Sequence, residues 1–220
     1  MGSKKAVIAG ATGLIGNKLL RVLINADEYE KVYAFVRRPL GINHPKLEEV
    51  QVDFSHLENY REYLAVEDVF ICLGTTIKKA KTQEAMYKVD VEYPVEIARL
   101  AKEAGAAHYL LVSSMNANPK SPIFYSRMKG ELEEKVTSLG YKHLSIFRPS
   151  LLLGDRQEFR LGEEFAAKLY KVLGFVFVGP MRKYKAIEGQ TVAKAMYKVA
   201  QNKEKGKVIY SSEGIAEIGR

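Results

Sequence analysis

Short, unbroken apolar runs alternate with stretches in which apolar residues return every three or four positions. The run Ala6-Val7-Ile8-Ala9 is stopped by Gly10 and fits a strand buried on both faces. Leu14, Ile15, Leu19, Val22 and Leu23 then recur at helical spacing, which predicts a helix with one core-facing side. Val32–Val36, Val50–Val52, Val69–Leu73, Tyr109–Val112 and Leu144–Phe147 read as further strands. Glu84 to Ala104 reads as a helix that Pro94 interrupts, and Tyr125 to Leu139 as one ended by Gly140. This alternation predicts a parallel sheet covered on both faces, its crossovers right-handed. Past Gly154 the pattern loosens. A helical stretch Glu163–Leu173, an apolar run Gly174–Val178, a helix Thr191–Gln201 and a last strand Val208–Tyr210 follow. We expect this part to be a small substrate-side lobe rather than an independent domain.

Composition narrows the class without changing the layout. The chain has 220 residues, 47% hydrophobic and 27% charged, which suits one α/β domain with a sizeable core. Cys72 is the single cysteine, so an internal disulfide and a cysteine-pair zinc site are excluded, and a reducing, cytoplasmic location is expected. The longest uncharged run, Ala104 to Pro119, carries His108, Ser113, Ser114, Asn116 and Asn118, so no membrane span is expected. The first apolar run is too short for a secretory signal. His44, His56, His108 and His143 show no metal-ligand spacing, and no metal is expected. The net charge is +8 but unfocused, and no nucleic-acid motif accompanies it; specific nucleic-acid binding is not expected.

Chemistry enters at Gly10-Ala11-Thr12-Gly13-Leu14-Ile15-Gly16, between the first strand and the first helix. Gly10 permits a tight turn, Gly13 leaves room for a pyrophosphate, and Gly16 lets the helix approach the sheet. The exposed N–H groups and the helix dipole favour an anion there. A NAD site places a carboxylate about 20 residues further on, against the adenosine ribose. Here Arg37 stands 21 residues after Gly16, followed by Arg38. A guanidinium binds a 2′-phosphate that a carboxylate would repel, so NADP(H) is favoured over NAD(H).

Tyr125 and Lys129 lie four apart in a predicted helix and share a face. The ammonium favours a phenolate, which can exchange a proton with a carbonyl or alcohol oxygen while hydride moves at a nicotinamide. Ser113 and Ser114 end the fifth strand, where a hydroxyl can hold the substrate oxygen; the residues alone leave open which serine does so.

In this order the glycine turn, Leu73-Gly74-Thr75-Thr76, Ser113-Ser114, Tyr125-Ser126-Arg127-Met128-Lys129 and Arg148-Pro149-Ser150 resemble the short-chain dehydrogenase/reductase superfamily. Cys72-Leu73-Gly74-Thr75-Thr76, with Lys79-Ala80 and Val89-Asp90, is similar to its atypical, extended-like branch that includes the Tat-interacting oxidoreductase-like proteins. The resemblance implies a Rossmann-type doubly wound α/β sheet in a single NAD(P)-binding domain over 1–220, with 155–220 forming most of the substrate-side lobe. It implies Ser114, Tyr125 and Lys129 as the catalytic set. Asp53 and Phe54 are implied at the adenine, Leu73, Gly74 and Thr75 along the cofactor, and Ser113, Pro149 and Ser150 toward the nicotinamide end. Tyr125 and Lys129 also face the cofactor. The expected activity is an NADP(H)-dependent oxidoreductase on a small carbonyl/alcohol substrate, in a monomer or homodimer. The alternative is an NADP(H)-binding redox sensor with a protein partner and little turnover. Lys78, Lys79 and Lys81 form a basic cluster read as a solvated loop. Arg156, Arg160, Arg182 and Lys183, with Phe159, Phe165, Phe175, Phe177 and Tyr184, read as surface charge and core of the lobe.

Overall fold

A computed structural model describes residues 3–153, 185–202 and 204–220. Strand β1 (Lys4–Ala9) leads into helix α1 (Leu14–Asn25), then β2 (Tyr29–Val36) and β3 (Leu47–Gln51). A 3-10 helix, Leu57–Leu64, precedes β4 (Asp68–Ile71). The chain continues through two short helices, α2 (Ile77–Ala80) and α3 (Gln83–Tyr87), a π turn over Lys88–Glu92, and α4 (Tyr93–Glu103). Next come β5 (His108–Val112), α5 (Phe124–Ser138) and β6 (His143–Arg148). A small pair, β7 (Leu152–Leu153) and β8 (Ile187–Glu188), precedes α6 (Gly189–Gln201), β9 (Gly206–Ser211) and α7 (Ser212–Ile218).

The main sheet has seven parallel strands in the order β3-β2-β1-β4-β5-β6-β9. The chain winds outward from β1 to β3, then returns to place β4 on the other side of β1. That reversal opens a crevice beyond the carboxyl ends of β1 and β4, where open α/β sheets bind ligands. Ala6, Val7, Ile8 and Ala9 are all buried, as their unbroken run requires. On one sheet face Leu19, Leu20 and Leu23 of α1 pack with Val192, Ala193 and Met196 of α6. On the other, Ile97 and Leu100 of α4 pack with Met128, Leu132 and Val136 of α5.

The interruption expected at Pro94 is the π turn. Proline has no N–H to return to the carbonyl of Asp90, and its ring would strike that carbonyl in a regular α-helix. The helix widens instead, and the Tyr93 N–H donates to the Lys88 carbonyl, five residues back.

The described part of 155–220 builds the main layers and not a separate lobe: β9 is the seventh strand and α6 covers α1. The stretches Glu163–Leu173 and Gly174–Val178, the residues Arg156, Arg160, Arg182 and Lys183, and the aromatics from Phe159 to Tyr184 lie outside the described residues.

Strand β2 starts at Tyr29, three residues before its apolar run, because the tyrosine ring is wholly buried at the far end of the sheet. Its hydroxyl donates to Asp68 Oδ2 at 2.8 Å, and the Lys4 Nζ lies 3.4 Å from the same oxygen. Burial first, and then the Asp68 carboxylate, push the phenol far above its ordinary range, so it stays a donor. Tyr29→Phe keeps the ring and removes the donor from a buried carboxylate. We expect a loss of about 1–3 kcal/mol, read from urea unfolding. An unchanged midpoint would show that the carboxylate is satisfied without the Tyr29 hydroxyl.

Candidate functional site

Gly10 closes β1 with φ +94°, and a Cβ there would lie 2.5 Å from the carbonyl carbon and oxygen of Cys72. A Cβ on Gly16 would collide with the carbonyl oxygen of Gly10. Both glycines are thus required by packing between the turn, α1 and the end of β4. Gly13 caps α1 without a side-chain hydrogen bond, and no acidic residue occupies the first turn. Thr12 and Gly13 are exposed at the rim, whereas Ile15 is buried in the core and Leu14 packs on Gly189. Leu14 and Ile15 therefore offer a ligand their backbone only. An uncapped helix N-terminus without acidic neighbours, at the sheet's switch point, fits the phosphates of a dinucleotide.

Arg37 and Arg38 are exposed just past β2. The Arg37 carbonyl accepts from Gln51 Nε2 at 3.3 Å. Beyond β3, Asp53 accepts from the Ser55 N–H at 2.9 Å and pairs with the His56 ring at 2.9 Å. The His56 hydrogen bond, then the backbone one, hold its carboxyl below the usual range. Phe54 leans on Tyr93, ring centroids 5.2 Å apart. Beyond β4, Leu73 is half-buried, Gly74 is exposed, and the Thr75 N–H donates to Asp90 Oδ2 at 2.7 Å. The Cys72 side chain packs against the core, and burial pushes its thiol up to about 12, which fits a packing residue. Lys78 and Lys79 of α2, with Lys81 after it, are exposed as expected.

Helix α5 carries Tyr125, half-buried, and Lys129, buried, on one face. The Lys129 Nζ lies 6.0 Å from the Tyr125 ring centroid and 2.9 Å from Asp90 Oδ1. The helix is seated by the loop before it. Gly130 has no room for a Cβ because the Asn118-Pro119 backbone lies against it, and Ser126 Oγ donates to the Asn116 carbonyl.

The structure separates the two serines. Ser113 is buried and its hydroxyl donates to Glu133 Oε1 at 2.5 Å. Glu133 also receives Arg148 through Nε at 2.9 Å and Nη2 at 2.5 Å, a bond that raises Arg148 above its ordinary value. The Ser113 hydroxyl thereby joins β5, α5 and β6. Ser114 is half-buried at the loop entry. The Ser150 hydroxyl donates to the Lys185 carbonyl and accepts from Ser212 at 2.8 Å, tying the loop after β6 to the segment that carries α7. Pro149 offers its carbonyl to the Met115 N–H at 3.2 Å.

Sequence reasoning missed Asp90, Glu133 and Arg148 as site supports. Glu133 was findable: it follows Lys129 by four residues, on the face shared with Tyr125.

The sequence profile of the family described as "NAD dependent epimerase/dehydratase family" matches residues 6–216. Protein HTATIP2 of Rattus norvegicus is 39% identical over 174 residues, spanning 77% of this chain and 72% of its own length. Protein FMP52, mitochondrial, of Debaryomyces hansenii is 35% identical over 199 residues, spanning 89% and 87%. Among solved structures, MoeE5 in complex with UDP-glucuronic acid and NAD superimposes with a TM-score of 0.73 at 18% identity, covering 95% of this chain and 75% of its own. That likeness speaks to the fold. The fungal relatives named mitochondrial overturn the expectation of a cytoplasmic address, which is withdrawn. Among the described residues no helix is long and apolar enough to cross a membrane.

Proposed function

From the premise that this chain belongs to the NAD dependent epimerase/dehydratase family, we propose that it is an NADP(H)-dependent oxidoreductase acting on a small carbonyl/alcohol substrate. The resemblance to the short-chain dehydrogenase/reductase superfamily and its Tat-interacting branch is borne out by the same relatives. The observation that carries the reading is the division of labour at the carboxyl ends of β5 and β6. The Ser113 hydroxyl is taken up by Glu133, while Ser114 opens the loop beyond β5, and Tyr125 and Lys129 share a face of α5 that Asp90 ties to the loop beyond β4.

The glycine turn would hold the pyrophosphate on the α1 amides, and Lys129 with Tyr125 would meet the nicotinamide ribose. When bound, the nicotinamide supplies or accepts the hydride. The chain's own residues handle the proton. Tyr125 hydroxyl donates it to the substrate oxygen in reduction and recovers it in oxidation. Ser114 hydroxyl steadies the same oxygen, and Lys129 keeps positive charge near the phenol.

Cofactor choice rests on Arg37 and Arg38, exposed where a 2′-phosphate would lie. A charge-assisted hydrogen bond is worth ~1.5–3 kcal/mol, so NADPH should bind tenfold or more tighter than NADH. Calorimetric titration of both reads this directly. Arg37→Asp should narrow or reverse the gap, and equal affinities in the unmodified protein would sink the preference.

A further inference from the structure

We propose that Asp90 is a positioning residue for this site: its carboxylate holds the Lys129 ammonium and the Thr75 N–H at once, and so sets how much positive charge reaches the Tyr125 hydroxyl. The inference rests on the oxidoreductase reading for its meaning in catalysis. It rests on geometry alone for the charge coupling.

The geometry begins with Pro94. Its missing N–H falls opposite the Asp90 carbonyl, and the helix opens into a π turn there. Such turns re-aim side chains and recur at functional sites. Here the turn carries Asp90 inward, with no exposed surface, onto Lys129, whose side chain is 2% exposed. The ion pair spans 2.9 Å, and the second carboxylate oxygen takes the Thr75 N–H at 2.7 Å. One side chain thus links three pieces of the site: the loop beyond β4, the π turn, and the catalytic face of α5.

A buried ion pair is a poor device for stability, since well-packed apolar residues of the same size often serve a fold as well or better. Its presence on the lysine that faces Tyr125 points to a role in setting charge. The groups on the elements packed there are these. Helix α5 carries Tyr125, Lys129 and Glu133, and the π turn carries Asp90. Arg148 at the end of β6 is bound through Nε and Nη2 to Glu133, which also accepts from Ser113 just past β5. Beyond β4 the Thr75 N–H donates to the second Asp90 oxygen. Glu133 is balanced by Arg148, and Asp90 balances Lys129. Removing the Asp90 charge while keeping its shape leaves the ammonium unopposed beside the phenol, which favours the phenolate.

The experiment is a tyrosinate absorbance titration of the full chain. The Tyr125 signal is isolated by subtracting the Tyr125→Phe protein, and the measurement is repeated on an Asp90→Asn background. Phenolate formation at Tyr125 should move down by about one pH unit in Asp90→Asn, since charges within a few ångströms shift such equilibria by that order. In parallel, the acid limb of the pH–rate profile for NADP-dependent alcohol oxidation should move the same way. An unmoved titration overturns the proposal, whatever happens to turnover. A titration that moves in a protein that turns over no carbonyl or alcohol sinks the oxidoreductase reading and leaves the coupling standing. Should Asp90→Asn fail to fold, Pro94→Ala restores the missing N–H and lets the π turn close. A downward move in that variant supports the assignment, and no move overturns it.

Discussion

Turnover in Tyr125→Phe is expected to fall by about 10²–10⁴-fold, with NADPH affinity nearly unchanged. The substitution removes one oxygen and keeps the half-buried ring that seats the start of α5. The cradle that would hold the cofactor's phosphates, built from Gly10, Gly13 and Gly16, lies on another element and is untouched. Loss should therefore fall on the chemical step. Single-turnover measurement with saturating NADPH separates that step from binding. A variant that keeps full turnover would remove Tyr125 from the mechanism, and one that loses cofactor affinity to the same extent would make it a binding residue.

The second large effect concerns Glu133. Its buried carboxylate receives Ser113 and both arms of Arg148, so Glu133→Ala strands a guanidinium and a hydroxyl in the seam between β5, α5 and β6. Breaking a buried pair from one side costs about 3–5 kcal/mol. Arg148 retains some exposure, 28% of its side chain, which places the expectation at the low end, ~3 kcal/mol. Chemical denaturation reads the cost. Glu133→Gln, which can still accept from Ser113, should lose less. Equal stability of Glu133→Ala and the unmodified chain would show that water replaces the carboxylate.

The strands were legible because a strand covered on both faces must be apolar throughout, and each run read as a strand became one. Their ends were not. Strand β1 begins in Lys4-Lys5 and β2 in Tyr29-Glu30-Lys31, where tertiary partners rather than apolar periodicity fix the backbone. The 3-10 helix at Leu57–Leu64 and the short α2 were missed for the same reason: neither is long enough to show a repeat. The spacing of Gly10, Gly13 and Gly16 and that of Tyr125 and Lys129 were readable because each set falls within one turn or one helix. What sets Ser113 apart from Ser114 was not readable. It depends on Glu133, which accepts the Ser113 hydroxyl from 20 residues further on and is itself held by Arg148. Asp90 was hidden more deeply, since a regular helix through Pro94 would have pointed it elsewhere.

The packing of α1 under α6 has a consequence for how the chain is made. The leucine face of α1 leaves the ribosome well ahead of Val192, Ala193 and Met196, which cover it from about 170 residues further along the chain. Strand β9 likewise closes the sheet only after β6 has waited some sixty residues for its neighbour. Contacts of such long sequence separation slow folding and leave apolar surface open meanwhile. A nascent chain of the first 150 residues would hold the glycine turn, both serines and the Tyr125–Lys129 pair, and still show α1 half bare. Lys4 would also wait for Gln201, whose side-chain oxygen its Nζ meets at 2.6 Å. The residues proposed for the chemistry are therefore made well before the packing that supports them, and α6 acts as a clasp on α1.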